Sequence, residues 1–255
     1  MTDTIVILRS SAWTGVDVRV TVRRHQGWLA AGVLAASLAF TSGCSDTGSL
    51  GFDYDFAGGP SGWVEGFADY PAGQDAFFML EADYRALPPP LDTSRSALYI
   101  AGTNRSDDLW MYYKAEVALP ADTTYRVRFD VEIATNAPNG CQGVGGAPGD
   151  GVTVKAGVSL IEPDREMDAA GWWRMNVDKG NQTQGGEDAV VIGDLANSRS
   201  CEQGPEWERK RLGGPSMMFT SDSTGRAWLF VGTDSGFESR SAVYYTRFTA
   251  LFEPV

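Results

Sequence analysis

The chain has 255 residues, enough for one large all-β unit or two small ones with a sizeable core. Its 21 Lys+Arg against 33 Asp+Glu give a formal charge of −12, which argues against nucleic acid or anionic lipid as the main partner, because both need a basic footprint. A hydrophobic fraction of 43% with 11% aromatics excludes a disordered chain.

The first readable segment is Arg23-Arg24-His25-Gln26, then the apolar run Gly27–Phe40, then Thr41-Ser42-Gly43-Cys44. The run is shorter than the roughly 20 residues a membrane span needs. Basic, apolar and small residues in that order make the layout of a secretory signal. Phe40-Thr41-Ser42-Gly43-Cys44 resembles the lipobox of bacterial lipoproteins. The resemblance implies export, lipidation of Cys44, and a membrane partner reached through that lipid. Residues 1–43 are then a signal with an N-terminal extension, 44–50 a polar tether, and 51–255 the folded part.

Removal of the signal takes with it four Arg, two Asp and the one histidine, His25. The part from Cys44 on keeps 17 basic and 31 acidic residues. Without histidine it has no Ser-His-Asp or Cys-His chemistry and no imidazole for zinc, copper or iron. A metal, if there is one, is expected to be an oxygen-ligated ion such as calcium; no other cofactor is expected. Cys141 and Cys201 remain as an even pair in an exported chain, which predicts a disulfide.

From Gly51 on the pattern is β. Over Thr124–Thr135, Tyr125, Val127, Phe129, Val131 and Ile133 alternate with Arg126, Arg128, Asp130 and Glu132, the period of a strand with one buried face. Val152, Val154, Ala156, Val158 and Leu160 predict a second strand, and Leu109–Val117, Arg226–Val231 and Ser241–Phe252 three more. Weaker candidates are Phe52–Phe56, Trp63–Phe67, Phe77–Glu81, Ala97–Ala101, Trp172–Val177, Ala189–Ile192 and Ser216–Thr220. Asp188–Asn197 reads as a short helix. Short strands divided by Gly- and Pro-rich turns predict an all-β, antiparallel β-sandwich of jelly-roll type in a single domain.

Phe52-Asp53-Tyr54-Asp55-Phe56 followed by Gly58-Gly59 and Gly62-Trp63 resembles the opening of galactose-binding-like, jelly-roll carbohydrate-binding modules. Leu98–Gly102, Leu119-Pro120 with Thr124-Tyr125-Arg126-Val127, and the closing Tyr244–Phe248 follow the same order. The resemblance implies a non-catalytic, tethered sandwich with a glycan as its ligand. The alternatives are a carbohydrate-active enzyme working through carboxylates, Tyr or Lys, and a structural lipoprotein of the envelope.

The expected ligand site is the polar stretch Asp178, Lys179, Asn181 and Gln182 beside Trp172 and Trp173. Amides and a Lys-Asp pair match sugar hydroxyls, and an indole face stacks on a sugar ring. Adjacent residues of a strand face opposite ways, so one of the two tryptophans should be left for solvent or a ligand. The candidate calcium ligands are Asp107, Asp108, Asp234 and Glu238, with Asp234 read as part of a turn. Lys155, alone in an apolar strand, should face water or pair with an acid.

Overall fold

A computed structural model describes residues 48–255. The signal segment and the expected lipidation site at Cys44 lie outside the described residues. In chain order the strands are β1 (Leu50–Asp55), β2 (Val64–Ala68), β3 (Tyr70–Pro71), β4 (Glu81–Ala86), β5 (Ser96–Thr103), β6 (Leu109–Ala118), β7 (Thr124–Thr135) and β8 (Ala137–Asn139). They continue with β9 (Val152–Ser159), β10 (Arg165–Met167), β11 (Trp172–Met175), β12 (Ala189–Asp194), β13 (Ala196–Ser200), β14 (Glu208–Gly213), β15 (Met217–Thr220), β16 (Arg226–Ser235) and β17 (Arg240–Pro254).

Two antiparallel sheets make a jelly-roll sandwich. The front sheet runs β14-β7-β17-β5-β4, with β1 also on β17 and β15 also on β7. The back sheet runs β12-β9-β16-β6-β2. The alternation of β7 is obeyed, with Tyr125 to Ile133 inward. On β17 the inward row is Val243 and Tyr245, then Phe248, Ala250 and Phe252. The change of parity is made by a register shift at Thr246, whose hydroxyl donates to Glu132 O (3.0 Å). One extra residue thus keeps an apolar face on the core along a 15-residue strand. From the back sheet Leu109, Met111, Tyr113, Val154, Ala156, Leu229 and Val231 fill the other half of the same core.

Four expectations are corrected. Of the two readings of 188–197, the strand at Ala189–Ile192 holds and the helix Asp188–Asn197 does not: the segment supplies β12 and β13, with Val190 and Val191 paired to Ala156 and Lys155 of β9. Phe77–Glu81 is largely a turn, closed by the Phe78 amide donating to Gln74 O (3.0 Å), and the strand there begins at Glu81. Leu160 lies past the end of β9 and is exposed. Asp234 belongs to β16, which continues through Ser235 in place of a turn. Cys141 and Cys201 are bonded, with Cα atoms 5.1 Å apart, inside the range a disulfide requires.

Candidate functional site

On the back sheet the residues that face away from the core include Trp110, Tyr112 and Phe230. The Trp110 ring lies across Gly232 of the neighbouring strand, where a Cβ would collide with it. The rings therefore lie flat, and they are roofed by the chain between β9 and β12. In that cover β10 pairs with β11, and β3 from earlier in the chain adds to β11 to complete a small antiparallel sheet. The turn after β11 then drops Val177 onto the Trp110 cluster.

This cover carries the expected ligand residues, and they are occupied. Asp178 accepts from the amides of Gly180 and Glu187 (both 2.9 Å), which hold its carboxyl below the ordinary range. Trp172 has the Arg174 guanidinium over its ring at 4.8 Å, and Trp173 has that of Arg165 at 4.5 Å. Trp173 also packs on the main core. Gln182 donates to Asp107 O (3.0 Å), clamping the cover to the β5–β6 loop. Asn181 and Asp178 are exposed, Asp178 with its carboxyl already held by the loop amides.

Lys179, expected as an exposed donor, is buried. Its Nζ lies 2.9 Å from Asp234 Oδ2, 3.1 Å from Asp69 Oδ2, 4.0 Å from Asp108 Oδ1, and 5.3 Å above the Trp110 ring. Lys155 Nζ donates to the same Asp234 oxygen at 2.7 Å and to Lys179 O at 3.1 Å. Lys155 thus pairs with an acid. Burial opposes both ammonium charges, but the outcomes differ. Lys155, with Asp234 as its hydrogen-bonded carboxylate, is held below its ordinary pKa; the three carboxylates around Lys179 raise it despite burial. Burial raises Asp69, against the pull of Lys179.

Asp108 is pushed up to about 7, first by burial and then by the neighbouring Asp234 carboxyl. Buried Oδ1 atoms of Asp108 and Asp234 each lack a donor.

The four expected calcium ligands do not assemble. Asp234 is committed to the lysines, Asp107 and Glu238 are exposed, and among the described residues no group of three acidic, His or Cys side chains is placed to hold a metal ion.

The open site is on the other face. Facing away from the core on the front sheet, Tyr99, Tyr244 and the residue preceding β14, Trp207, form a ladder. Tyr99 and Tyr244 have ring centres 4.8 Å apart, and Trp207 meets Tyr244 edge-on at 5.1 Å. Arg85 closes the ladder, its guanidinium 3.4 Å above the Tyr99 ring and its Nε donating to Tyr244 Oη (3.2 Å). The partly exposed Trp207 lines a cleft of about 720 Å³ between the Pro88–Leu91 turn and β13–β14.

The polar walls of this cleft are held by the protein itself. Lys210 Nζ is spent on Asp194 Oδ1 (2.6 Å), Asp194 O (3.1 Å) and Ala196 O (2.6 Å). Glu208 Oε2 accepts from the Ser198 amide (3.0 Å) and hydroxyl (2.8 Å), leaving Oε1 for a further donor. Asn197 donates to Glu206 O (2.9 Å), tying β13 to the start of β14. The disulfide fixes the short 3-10 turn Cys201–Gln203 at the far end of this wall. Sequence reasoning passed over Trp207. The one available signal was an indole followed by the alternation Glu208-Arg209-Lys210-Arg211-Leu212, a polar edge strand.

No family model matches the chain. No curated protein matches it either. Among solved structures it is similar to the xylan-binding CBM22-1 domain of Xyn10C from Paenibacillus barcinonensis, at 11% identity, 78% of this chain, 92% of that chain and a TM-score of 0.36. It is similar to the K3 cleaved adhesin domain of Lys-gingipain from Porphyromonas gingivalis, at 13% identity, 80% of this chain, 99% of that chain and a TM-score of 0.36. A third is TmCBM61 in complex with β-1,4-galactotriose, at 14% identity, 74% of this chain, 88% of that chain and a TM-score of 0.34. The chemistry of the cleft is read from its own residues.

Proposed function

We propose that the protein is an exported, lipid-anchored β-sandwich that binds a glycan without transforming it, and that the sugar docks in the Trp207 cleft. The observation that carries this is the partly exposed Trp207 ring, braced from behind by Tyr244, lining an open cleft whose carboxylate and hydroxyl groups are already oriented. An aromatic face stacks on the C–H face of a sugar, and fixed polar groups bond its hydroxyls. Because Lys210, Glu208 and Asn197 are ordered before the ligand arrives, little entropy is lost on binding. The carboxyl pair Asp108–Asp234 gives no support to glycan hydrolysis, since Asp234 is fully buried beneath the cover.

Trp207→Ala should lower affinity on a glycan array and in calorimetry by about two orders of magnitude, the scale of an aromatic hot spot. Its melting temperature should stay within a few degrees. Unchanged binding by this variant would remove the cleft as the site. The anchor rests on the Phe40–Cys44 pattern: Cys44→Ser should abolish incorporation of labelled fatty acid, and persistence of the label would exclude lipidation there.

A further inference from the structure

A second cavity, of about 320 Å³, lies against the same segment of chain. Its walls include Asn136, Pro138, Pro205, Phe237, Ala242 and the Cys141–Cys201 bridge. Leu195 lines this cavity and Ala196 lines the Trp207 cleft; Pro205 lines it and Glu206 lines the cleft. The segment Ala196–Glu206 is thus a septum with a cavity on each side. The two sides also share a floor, because Ala242 from the second cavity packs in one cluster with Trp207 and Leu91 from the first.

The cations on both sides are paired within the protein. In the cleft Lys210 pairs with Asp194 (2.6 Å), Arg209 with Glu132 (3.4 Å) and Glu206 with Arg199 (3.4 Å). In the second cavity Arg240 pairs with Glu81 (2.7 Å). No unmatched cation waits for an acidic sugar, and the chain's formal charge of −12 repels polyanions at a distance. Asn136 brings a carboxamide, donor and acceptor together, to walls that also carry the Ser241 hydroxyl and are otherwise largely apolar, with three prolines, Phe237 and Leu195.

We propose that the two cavities are consecutive subsites for one neutral oligosaccharide that crosses the Ala196–Trp207 segment. The protein then recognises a stretch of a neutral glycan chain, three units or more, and not a free monosaccharide. This rests on the glycan reading of the Trp207 cleft. It adds a second site, a minimum length and a charge class to it.

The test is calorimetry on the purified protein with neutral homo-oligosaccharides of one to six units, built from glucose, xylose or galactose, and with uronic-acid chains of the same lengths. In the neutral series that binds, affinity should rise on the order of tenfold or more between two and four units, as two linked subsites require. Asn136→Trp, which fills the second cavity, should bring the four-unit affinity down to the two-unit level and leave the latter unchanged. Equal affinity from one to four units, tighter binding of uronic-acid chains, or no effect of Asn136→Trp would overturn the two-subsite inference while the cleft stands. If no chain of either kind binds the wild-type protein, the glycan reading falls first. Should Asn136→Trp not fold, hydrogen exchange on the wild type decides. A four-unit but not a two-unit chain should protect 136–141 and 204–205, and identical protection by both would overturn the inference.

Discussion

Trp110, Tyr112 and Phe230 on the back sheet face away from the core and end under a roof; Trp207, standing on Tyr244 and Tyr99 of the front sheet, ends at the edge of an open cleft. The roof is held from within by an ionic cluster in which Lys179 reaches down to Asp69 and Asp234. The front face has its ion pairs at the margins, where Lys210, Arg209 and Arg85 brace the walls and leave the floor open. The same residue types thus serve opposite ends. Buried charges under the cover specify where that segment sits, at a desolvation cost only mutual pairing offsets. Peripheral charges around Trp207 preorganise a surface and cost little.

The sharpest way to break this contrast is to remove the carboxylate that both lysines share. Asp234→Ala removes the hydrogen-bonded carboxylate of the fully buried Lys155 and one of the carboxylates that hold the buried Lys179. Breaking a buried pair in this way costs about 3–5 kcal/mol, read as a shift of the denaturant midpoint. A loss under about 1 kcal/mol would mean that the cluster does not hold the cover. The Trp207 cleft should keep its affinity wherever the variant is folded.

The cluster should also appear in the pH dependence of stability. The folded state raises Asp108 to about 7 and also raises Asp69, so it binds protons that the unfolded chain releases near pH 4. Stability from these groups is therefore greatest at the acid side and falls as pH rises from about 4 through about 7, by about 1.4 kcal/mol per pH unit for each proton involved. Lys179, Lys155, Asp69, Asp234 and Arg174 are the charged groups that set this window. Asp178 acts in the opposite sense, since its lowered pKa gives stability that is lost only in more acidic solution. Asp108→Asn keeps the neutral form and should flatten the slope between pH 4 and 7. A variant with the wild-type slope would place the titrating group elsewhere.

What the amino-acid order revealed, and what it hid, follows the same division. The row Tyr125–Ile133 is local, so its period alone placed the central strand of the front sheet. The disulfide was legible from the two cysteines that remain once Cys44 is set aside. Lys179 looked like an exposed donor because its partners lie far along the chain, Asp234 being 55 residues away, and Lys155 reaches that same carboxylate across 79. No window joins them. Trp207 was hidden for a different reason. It precedes an edge strand with one buried residue, Leu212, and such strands carry almost no hydrophobic period. The residues 188–197 misled because a valine pair next to glycine and aspartate suits either a short helix or a bulged strand. Pairing with β9, a tertiary contact, made the choice.

The smallest expected effect separates the two faces most economically. Asn181 is exposed like Asp178, but where Asp178 holds the loop through its carboxyl, Asn181 contributes its backbone carbonyl, accepting from the Gln184 amide (2.9 Å). Asn181→Ala should therefore change stability by no more than about 0.5 kcal/mol, as surface substitutions do. It should leave affinity for any oligosaccharide that Trp207 binds unaltered, because the cleft lies on the opposite sheet. The same calorimetric titration measures both variants. If Asn181→Ala lost affinity while Trp207→Ala kept it, the ligand would sit on the cover, beside the arginine-capped Trp172 and Trp173. The roof over the back sheet would then be the recognition surface and the open cleft its scaffold. If both lost affinity, one ligand would have to touch two opposite sheets, which a single bound chain manages only by wrapping an edge of the sandwich. The position of Asn181 on the cover over the back sheet and of Trp207 at the edge of the front sheet makes the first pattern, loss at Trp207 alone, the expected one.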